Sequence, residues 1–264
     1  MAAPADASIK NLNGSWTMVR PPIPPVMRGL QPVRSQRSTS EPGTSPGPSA
    51  PSPNNNNQSN PARDTQQGMG WLLRKAISLA YITAEVKQYA DSEDPKIMHI
   101  DIKQYVTGGI EGTTENRTTD WKTREHQDHI FGRVEGQSKF FRGSKSADGK
   151  VRPNLDWATE TDNEQIKKFL NGEVLKDGSE CDGWIVENLG EEYGEGEGLW
   201  LQSYVRSLDS TWTAEQIWGF EIVNGERYYS RRIVVANNGT YEMARMIYSY
   251  IPPQPQPEED EIIM

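Results

Sequence analysis

The sequence predicts a mostly β protein, a single antiparallel up-and-down β-barrel with a short lid helix and one inserted helix. Apolar and polar residues alternate along most of the chain after residue 82, which is the pattern of strands with one buried face. Turn sequences such as Asn224-Gly225 separate these stretches, as in β-hairpins. No crossover helices lie between successive late strands. Because a meander of this length would leave two open strand edges, we expect it to close into a barrel.

The composition divides the 264 residues into ordered and disordered parts. Hydrophobic residues make up 34 %, below the roughly 45–50 % of globular domains. The deficit is concentrated in residues 21–67, which hold most of the 18 prolines together with Ser, Gly and Asn. Such a segment cannot bury enough apolar surface to offset its ordering entropy, so we predict a disordered insertion. We also predict a disordered acidic tail over 252–264. The domain is then an N-terminal segment with the first strand, 1–20, and the remainder of the barrel, 68–251.

Charge and cysteine content narrow the class of protein. The net charge is −9 and the pI is about 5, so the chain lacks the basic surface of a nucleic-acid-binding protein. Cys181 is the single cysteine, which excludes an intrachain disulfide framework. The first residues lack the apolar core of a signal peptide, and no apolar run approaches the roughly 18–20 residues of a membrane span. We therefore expect a cytoplasmic protein with no membrane span and no nucleic-acid partner.

The elements follow from periodicity. A first strand is predicted at Lys10–Val19, and helical spacing of apolar residues predicts a short amphipathic lid helix at Trp71–Ala80. The later strands are predicted at residues 82–89, 98–106, 110–119, about 129–136, 183–189, 199–208, 212–223, 227–236 and 241–251.

The segment 142–182 interrupts the strand pattern as an inserted loop and helix. Thr161 and Glu164 have the spacing of a capping box, which predicts the start of a helix there. We expect this helix to run to about Asn171 and to stop at Gly172.

The first strand carries a motif that resembles a known superfamily. It contains Gly14-Ser15-Trp16, and Gly-x-Trp in the first strand is typical of the calycins, which include lipocalins and fatty-acid-binding proteins. The passage from Gly70 to Tyr89, a helix followed by a strand rich in Val and Ile, is similar to the lid and next strand of the fatty-acid-binding branch. The chain also looks like uncharacterised fungal calycin-like proteins, some of which lie beside secondary-metabolite genes.

The resemblance implies a barrel that holds a small apolar molecule and a Trp16 that plugs its closed end. Two insertions, 21–67 and 142–182, depart from the family pattern, so the geometry of the ligand entrance is not transferred. Fatty-acid-binding proteins grip a carboxylate with Arg-x-Tyr in the last strand. Here Arg245 and Tyr248 are one residue further apart, so they cannot share one face of a regular strand.

Candidate ligand-binding residues lie late in the chain. Arg245 is predicted either to bind an acidic ligand group or to stack on Trp16 by a cation–π contact. Arg232 is the second cationic candidate, because it shares a strand face with Tyr228, while its neighbour Arg231 is expected to face solvent. Two aromatic residues of one strand face, which would line a cavity or fill the core, complete the set: Trp218 and Phe220.

We expect no metal and no cofactor. His126 and His129 point to opposite faces of a regular strand, so a shared metal would need a bulge. Cys181 lies between Glu180 and Asp182, whose charges disfavour a thiolate nucleophile.

Three functions remain open from the sequence. The leading hypothesis is non-catalytic binding of a small hydrophobic molecule, such as a fatty acid, isoprenoid or polyketide. The rival is a cofactor-independent isomerase or cyclase of secondary metabolism that uses the same cavity to hold a substrate in a reactive conformation. The third is an interaction protein recruited through its Pro-rich arm. Two or more convergent titratable groups inside the barrel would favour the enzyme.

Overall fold

The computed structural model describes residues 1–19, 83–106, 110–128, 131–156, 158–159 and 163–253. The predicted lid helix, the Pro-rich arm and nearly all of the predicted tail lie outside these residues. The strands are β1 (Gly14–Val19), β2 (Thr83–Ala90), β3 (Met98–Val106), β4 (Ile110–Thr118), β5 (Arg124–Asp128), β6 (Gly132–Lys145), β7 (Val151–Pro153), β8 (Glu197–Ser207), β9 (Trp212–Val223), β10 (Glu226–Asn237) and β11 (Thr240–Ile251). The helix α1 spans Glu164–Leu170, and a 3-10 turn spans Glu191–Tyr193. In this part of the chain no helix combines the length and apolarity needed to cross a membrane.

One curled antiparallel sheet contains all of these strands and forms a half-barrel. Its order is β4-β3-β2-β1-β11-β10-β9-β8-β6-β5, with β7 paired to β6. The first strand pairs with the last, and Trp16 lies opposite Tyr250 in that register. This long-range pairing joins the successive hairpins into one curled sheet. The predicted fold class, mostly β with one antiparallel barrel-like sheet, is confirmed.

The two ends of the sheet are β4 and β5, which are neighbours in sequence. Over the described residues these strands share no ladder with each other. Among the described residues, the seam between them is crossed by one β-bridge from Asp120 to Lys139 on β6 and, inside the barrel, by the side chain of Arg117. Its Nη1 donates a hydrogen bond to Ser203 Oγ on β8 at 2.5 Å.

One end of the barrel interior is filled by the N-terminal segment. Ile9, Leu12 and Trp16 are fully buried there, and Trp16 Nε1 donates to the Leu12 carbonyl oxygen at 2.8 Å. The Trp16 ring meets Tyr250 edge-on, with centroids 5.1 Å apart. Gly14 has a φ of +117°, and a Cβ there would lie 2.7 Å from the Tyr250 ring, so this position requires glycine.

The inserted segment forms a second layer on the outside of the barrel. Helix α1 buries Ile166, Phe169 and Leu170 against the outer faces of the late strands, where Trp200 and Val234 are also fully buried. Strands β9 and β10 therefore have apolar cores on both faces, which explains why most of their residues are buried.

A buried charge cluster joins the helical layer to the barrel. Glu221 is fully buried and accepts hydrogen bonds from Arg232 Nε at 2.7 Å, Arg245 Nε at 2.6 Å and Ser230 Oγ at 2.7 Å. Arg232 Nη1 also donates to the carbonyl oxygens of Phe169 (2.6 Å) and Val174 (2.7 Å). The guanidinium of Arg232 thus satisfies one carbonyl group in the last turn of α1 and one in the loop that follows it, while it is neutralised by Glu221.

The inserted segment differs in detail from its prediction. The N-cap of α1 is Asn163, whose Oδ1 accepts from Gln165 N at 2.8 Å, and Thr161 lies outside the described residues. The helix ends at Leu170, and Gly172 follows with a φ of +81°. The strand expected at 183–189 is reduced to one β-bridge between Trp184 and Glu221. The segment also begins with strand structure, because β6 continues to Lys145 and pairs with β7.

We predict that Glu221→Gln lowers the free energy of unfolding by about 3–5 kcal/mol, because it leaves two buried or half-buried arginines without their carboxylate. Urea denaturation at pH 7 measures the change. Glu242→Gln is the matched control: Glu242 pairs with Lys176 at the surface of β11, and such pairs contribute about 0–1 kcal/mol. Equal, small losses in both variants would show that the Glu221 cluster does not hold the outer layer.

Candidate functional site

The barrel interior contains a cavity of about 180 Å³ between the filled end and the opposite mouth. For comparison, an apolar cavity of about 150 Å³ is large enough to hold a benzene molecule. The mouth is formed by Phe131 and by the exposed His126. The apolar walls are formed mainly by Val134, Val205, Trp212, Ala214, Ile233 and Val235.

The deeper end of the cavity is polar and charged. Glu115 on β4 faces inward and accepts hydrogen bonds from Arg117, with Nη2 at 2.8 Å and Nε at 3.1 Å from Oε2. Gln104 on β3 donates to the other carboxylate oxygen, Oε1, at 2.7 Å. Glu115, Arg117 and Gln104 lie on inward-facing positions of adjacent strands, so the period of two along each strand brings them together.

A second arginine reaches the same point from the opposite wall. Arg231 on β10 is 5 % exposed, and its guanidinium lies 3.7 Å from the centroid of the Trp218 ring. Its Nε donates to the Tyr229 hydroxyl at 2.7 Å. Its Nη1 lies 3.9 Å from Glu115 Oε2, within ion-pair range but too far for a hydrogen bond.

The indole ring of Trp218 contacts the guanidinium groups of both arginines. Arg117 lies over the same indole ring, with its guanidinium carbon 5.1 Å from the centroid. The indole Nε1 in turn donates to Gln216 Oε1 at 3.0 Å. Cation–π contacts of this kind contribute about 2 kcal/mol or more where water is excluded, so Trp218 offsets part of the cost of burying these charges.

The pKa shifts follow from burial and charge. Burial opposes ionisation of Glu115, but the charges of Arg117 and Arg231 and the hydrogen bonds from Arg117 and Gln104 outweigh it, so its pKa is lowered. Although 28 % of the Glu115 side chain is accessible, that surface faces the cavity. Burial raises the pKa values of Tyr229 and Tyr248, so both hydroxyls stay protonated at neutral pH.

This arrangement combines an apolar chamber with a cationic, hydrogen-bonding end. It can bind a largely apolar molecule and present donors to an oxygen atom at one end of it. Electrostatic interactions in such a water-excluded site are stronger than in bulk water.

The structure divides the sequence-predicted residues between the two faces of the sheet. Trp218 and Phe220 face the interior, Trp218 beside the charged cluster and Phe220 in the filled end. Arg232 and Arg245 face the outer layer and bind Glu221, and Tyr228 lies on the same outer face with its hydroxyl bonded to Glu226 at 2.6 Å.

Two expectations about individual arginines are wrong. Arg231, expected to face solvent, is buried in the interior. The predicted stacking of Arg245 on Trp16 does not occur, because Arg245 is drawn to Glu221 on the other face of the sheet, and Trp16 is instead packed against Tyr229 and Tyr250.

Sequence reasoning did not identify Glu115, Arg117 or Arg231 as site residues. The alternation along β4 places Thr113, Glu115 and Arg117 on one face. This pattern could have identified Glu115 and Arg117 as neighbours on the same side of the sheet. The hydrophobic pattern of β10 does not indicate which residues point into the barrel, because both faces of the strand are buried.

No group of three metal-ligating side chains is assembled among the described residues. His126 lies at the cavity mouth, while His129 falls outside them. Cys181 accepts a hydrogen bond from Arg232 Nη2 at 3.2 Å on the outer face, away from the cavity.

Two curated fungal proteins are similar to this chain. The pericyclase pydY of an Acremonium species is 24 % identical over 190 residues, which cover 72 % of this chain and 83 % of that protein. The probable pericyclase scpY of Mollisia scopiformis is 22 % identical over 188 residues, covering 71 % of this chain and 80 % of that protein. No family model matches the chain, and no solved structure matches it. The barrel-like sheet fits the resemblance to calycins, but no match to a calycin supports it.

We predict that Glu115→Gln lowers stability at pH 7 by about 1.5–3 kcal/mol, the usual contribution of hydrogen bonds to a charged group. Because the pKa of Glu115 is lower in the folded state than its ordinary value of 4.5, the stabilisation from its ionised form is fully present above about pH 4.5. It is lost as the pH falls through the folded-state pKa.

The difference in unfolding free energy between the wild type and Glu115→Gln should therefore shrink as the pH is lowered from 7 to 3. Urea denaturation across that range measures it. Glu125→Gln, a change at a largely exposed carboxylate of β5, serves as the control and should show little difference at any pH. A Glu115 difference that grew on acidification would contradict the lowered pKa.

Proposed function

We propose that this chain catalyses a pericyclic ring closure of a small, mostly apolar, polyunsaturated molecule held in the barrel cavity. The observation that carries the proposal is its similarity to two fungal pericyclases over more than 70 % of its length. The convergence of Glu115, Arg117 and Arg231 on one cavity supports it independently, because charged groups gathered in an apolar pocket are more typical of active sites than of passive carriers.

The chemistry of a pericyclic ring closure suits this cavity. In such a reaction π bonds become σ bonds within one molecule, so the product is an isomer of the substrate. No proton, electron or group is exchanged with the protein. The main barrier is the folding of a flexible chain so that its reacting carbons meet, and a shaped apolar wall supplies that organisation.

The polar end of the cavity adds a second contribution. A carbonyl oxygen conjugated to the reacting π system gains negative charge in the transition state when the reaction draws electrons toward it. The guanidinium of Arg231, fixed by Trp218 and Tyr229, can donate to that oxygen. A donor held in place before the reaction stabilises the developing charge without reorganisation.

Binding of a hydrophobic ligand is the first step of this proposed function. A carrier and an enzyme would both use the apolar walls of the cavity, so turnover of the bound molecule is what distinguishes the two functions. A cytoplasmic location stays part of the proposal, supported by the single cysteine in the sequence. Recruitment through the Pro-rich arm remains a prediction, since 21–67 lies outside the described residues.

The test uses linear trienones, in which a conjugated diene is tethered to an α,β-unsaturated ketone, with tethers of several lengths. We expect the purified full-length chain to accelerate ring closure of at least one trienone over buffer and to favour one stereoisomer. Arg231→Gln should reduce the accelerated rate by about 10- to 100-fold. This range lies at or below the roughly 10²–10³-fold effect of removing an oxyanion-hole donor, because less charge develops here. Chiral chromatography of the product measures both rate and isomer ratio.

Arg206→Gln is the matched control, since Arg206 lies on the outer face of β8 and pairs with Glu135. It should cyclise the trienone at the wild-type rate. A rate and isomer ratio equal to those in buffer for every tether would count against catalysis. Wild-type activity in a folded Arg231→Gln variant would remove Arg231 from the mechanism.

A further inference from the structure

The charges around the cavity do not balance. Among the described residues that line this space, Glu115 carries one negative charge and Arg117 and Arg231 carry two positive charges. The other titratable side chains of this lining are Tyr248 and, at the mouth, His126. The cluster of Glu115, Arg117 and Arg231 therefore has a net charge of +1. Burial keeps the Tyr229 and Tyr248 hydroxyls protonated, so neither supplies the missing negative charge.

The excess positive charge is located on Arg231. Arg117 holds Glu115 through two nitrogen atoms, which is a neutral pair. Arg231 is instead held by stacking on Trp218 and by one hydrogen bond from Nε, which fixes the plane of the guanidinium. Among the described residues no acceptor lies within hydrogen-bonding distance of its Nη atoms, although only 6 % of the side chain is exposed and it lines the cavity. Arginine Nη donors oriented toward a cavity match the geometry of a carboxylate or a similar oxyanion.

We infer that the cavity takes substrates bearing one oxyanion, a carboxylate or an ionised enol of a 1,3-dicarbonyl, which binds at Arg231. This rests on the proposed function only in taking the cavity as the substrate site. The anion would lie at the deep end beside Arg231, with the apolar remainder along Val134, Val205 and Ile233 toward the mouth. The bound anion brings the net charge of the cluster to zero, which removes the cost of an uncompensated buried cation.

The same oxyanion would also take part in the proposed reaction. An ionised enol conjugated to the reacting π system is electron-rich and shares its negative charge with the carbons that form the new ring. Contact with Arg231 then serves both for binding and for orientation, since it fixes which end of the substrate enters first.

The test compares three ligands of equal length and different charge: octanoate, octanamide and octylammonium. Isothermal titration calorimetry of the full-length chain at pH 7 measures binding, and quenching of tryptophan fluorescence follows it independently. We expect octanoate to bind more tightly than octanamide by roughly 10- to 150-fold, the factor for a charge-assisted hydrogen bond. Octylammonium should bind the most weakly. Equal binding of octanoate and octanamide, or tighter binding of octylammonium, would overturn the inference.

Two variants of the cluster test the anion site, because they should change the octanoate-to-octanamide affinity ratio in opposite directions. Arg231→Gln leaves the neutral Glu115–Arg117 pair and should reduce the octanoate-to-octanamide affinity ratio to about 1, whereas the control Arg206→Gln should keep the wild-type ratio. Glu115→Gln raises the net charge to +2 and should increase the ratio, so this variant tests the idea even if Arg231→Gln does not fold. A ratio unchanged in both folded variants, or lowered in Glu115→Gln, would show that the preference does not arise at Arg231.

These measurements separate the two proposals. A preference for octanoate without turnover of any trienone or ionisable 1,3-dicarbonyl polyene supports the anion site and counts against the pericyclase. Turnover of neutral trienones without a preference for octanoate supports the pericyclase and overturns the anion site.

Discussion

The pairing of β1 with β11 is the constraint on which the remaining architecture depends. It joins residues 228 to 236 positions apart and converts a row of hairpins into a curled sheet with an inside and an outside. Trp16 is positioned by this pairing and, with Leu12, fills one end of the interior. A cavity can therefore exist only toward the other end, and the inward-facing side chains of β4 and β10, which are distant in the sheet order, meet across it.

The charged cluster of Glu115, Arg117 and Arg231 links opposite walls of this half-barrel and also supplies the polar groups of the cavity. Arg117 extends from the edge strand β4 to Ser203 on β8, so it crosses the seam where strand pairing is absent among the described residues. Arg231 approaches from β10 and stacks on Trp218. The groups proposed to meet a substrate are thus the groups that link opposite walls. Substitutions in this cluster are expected to change stability and ligand preference together, and this is why stability must be measured in each variant.

Much of the fold could be predicted from sequence, because alternation and turn residues are local signals. The strands after residue 196 and the helix near Glu164 follow from such patterns. The face to which a side chain points in β9 and β10 could not be predicted. Helix α1 covers the outer face, so Tyr229 and Val234 are both buried although they lie on opposite faces. With two buried faces the period of two does not indicate which residues point inward. Arg231, expected to face solvent, therefore lies in the interior, and Arg232, a candidate ligand-binding residue, is buried against Glu221 beneath the outer layer.

The two neighbouring arginines of β10 have different roles: Arg232 stabilises the fold, and Arg231 faces the cavity. Arg232 donates hydrogen bonds to fixed acceptors, namely Glu221 and two carbonyl oxygens of the helical layer. Its hydrogen bonds are therefore made within the folded chain. Arg231 is equally removed from bulk water but is held mainly through its π face and one nitrogen atom. Desolvation is costly for both, and Arg232 recovers more of that cost within the folded chain than Arg231 does. A buried cation that keeps donors directed into a cavity is stabilised further when an oxyanion enters, so ligand binding and relief of this electrostatic cost are the same event.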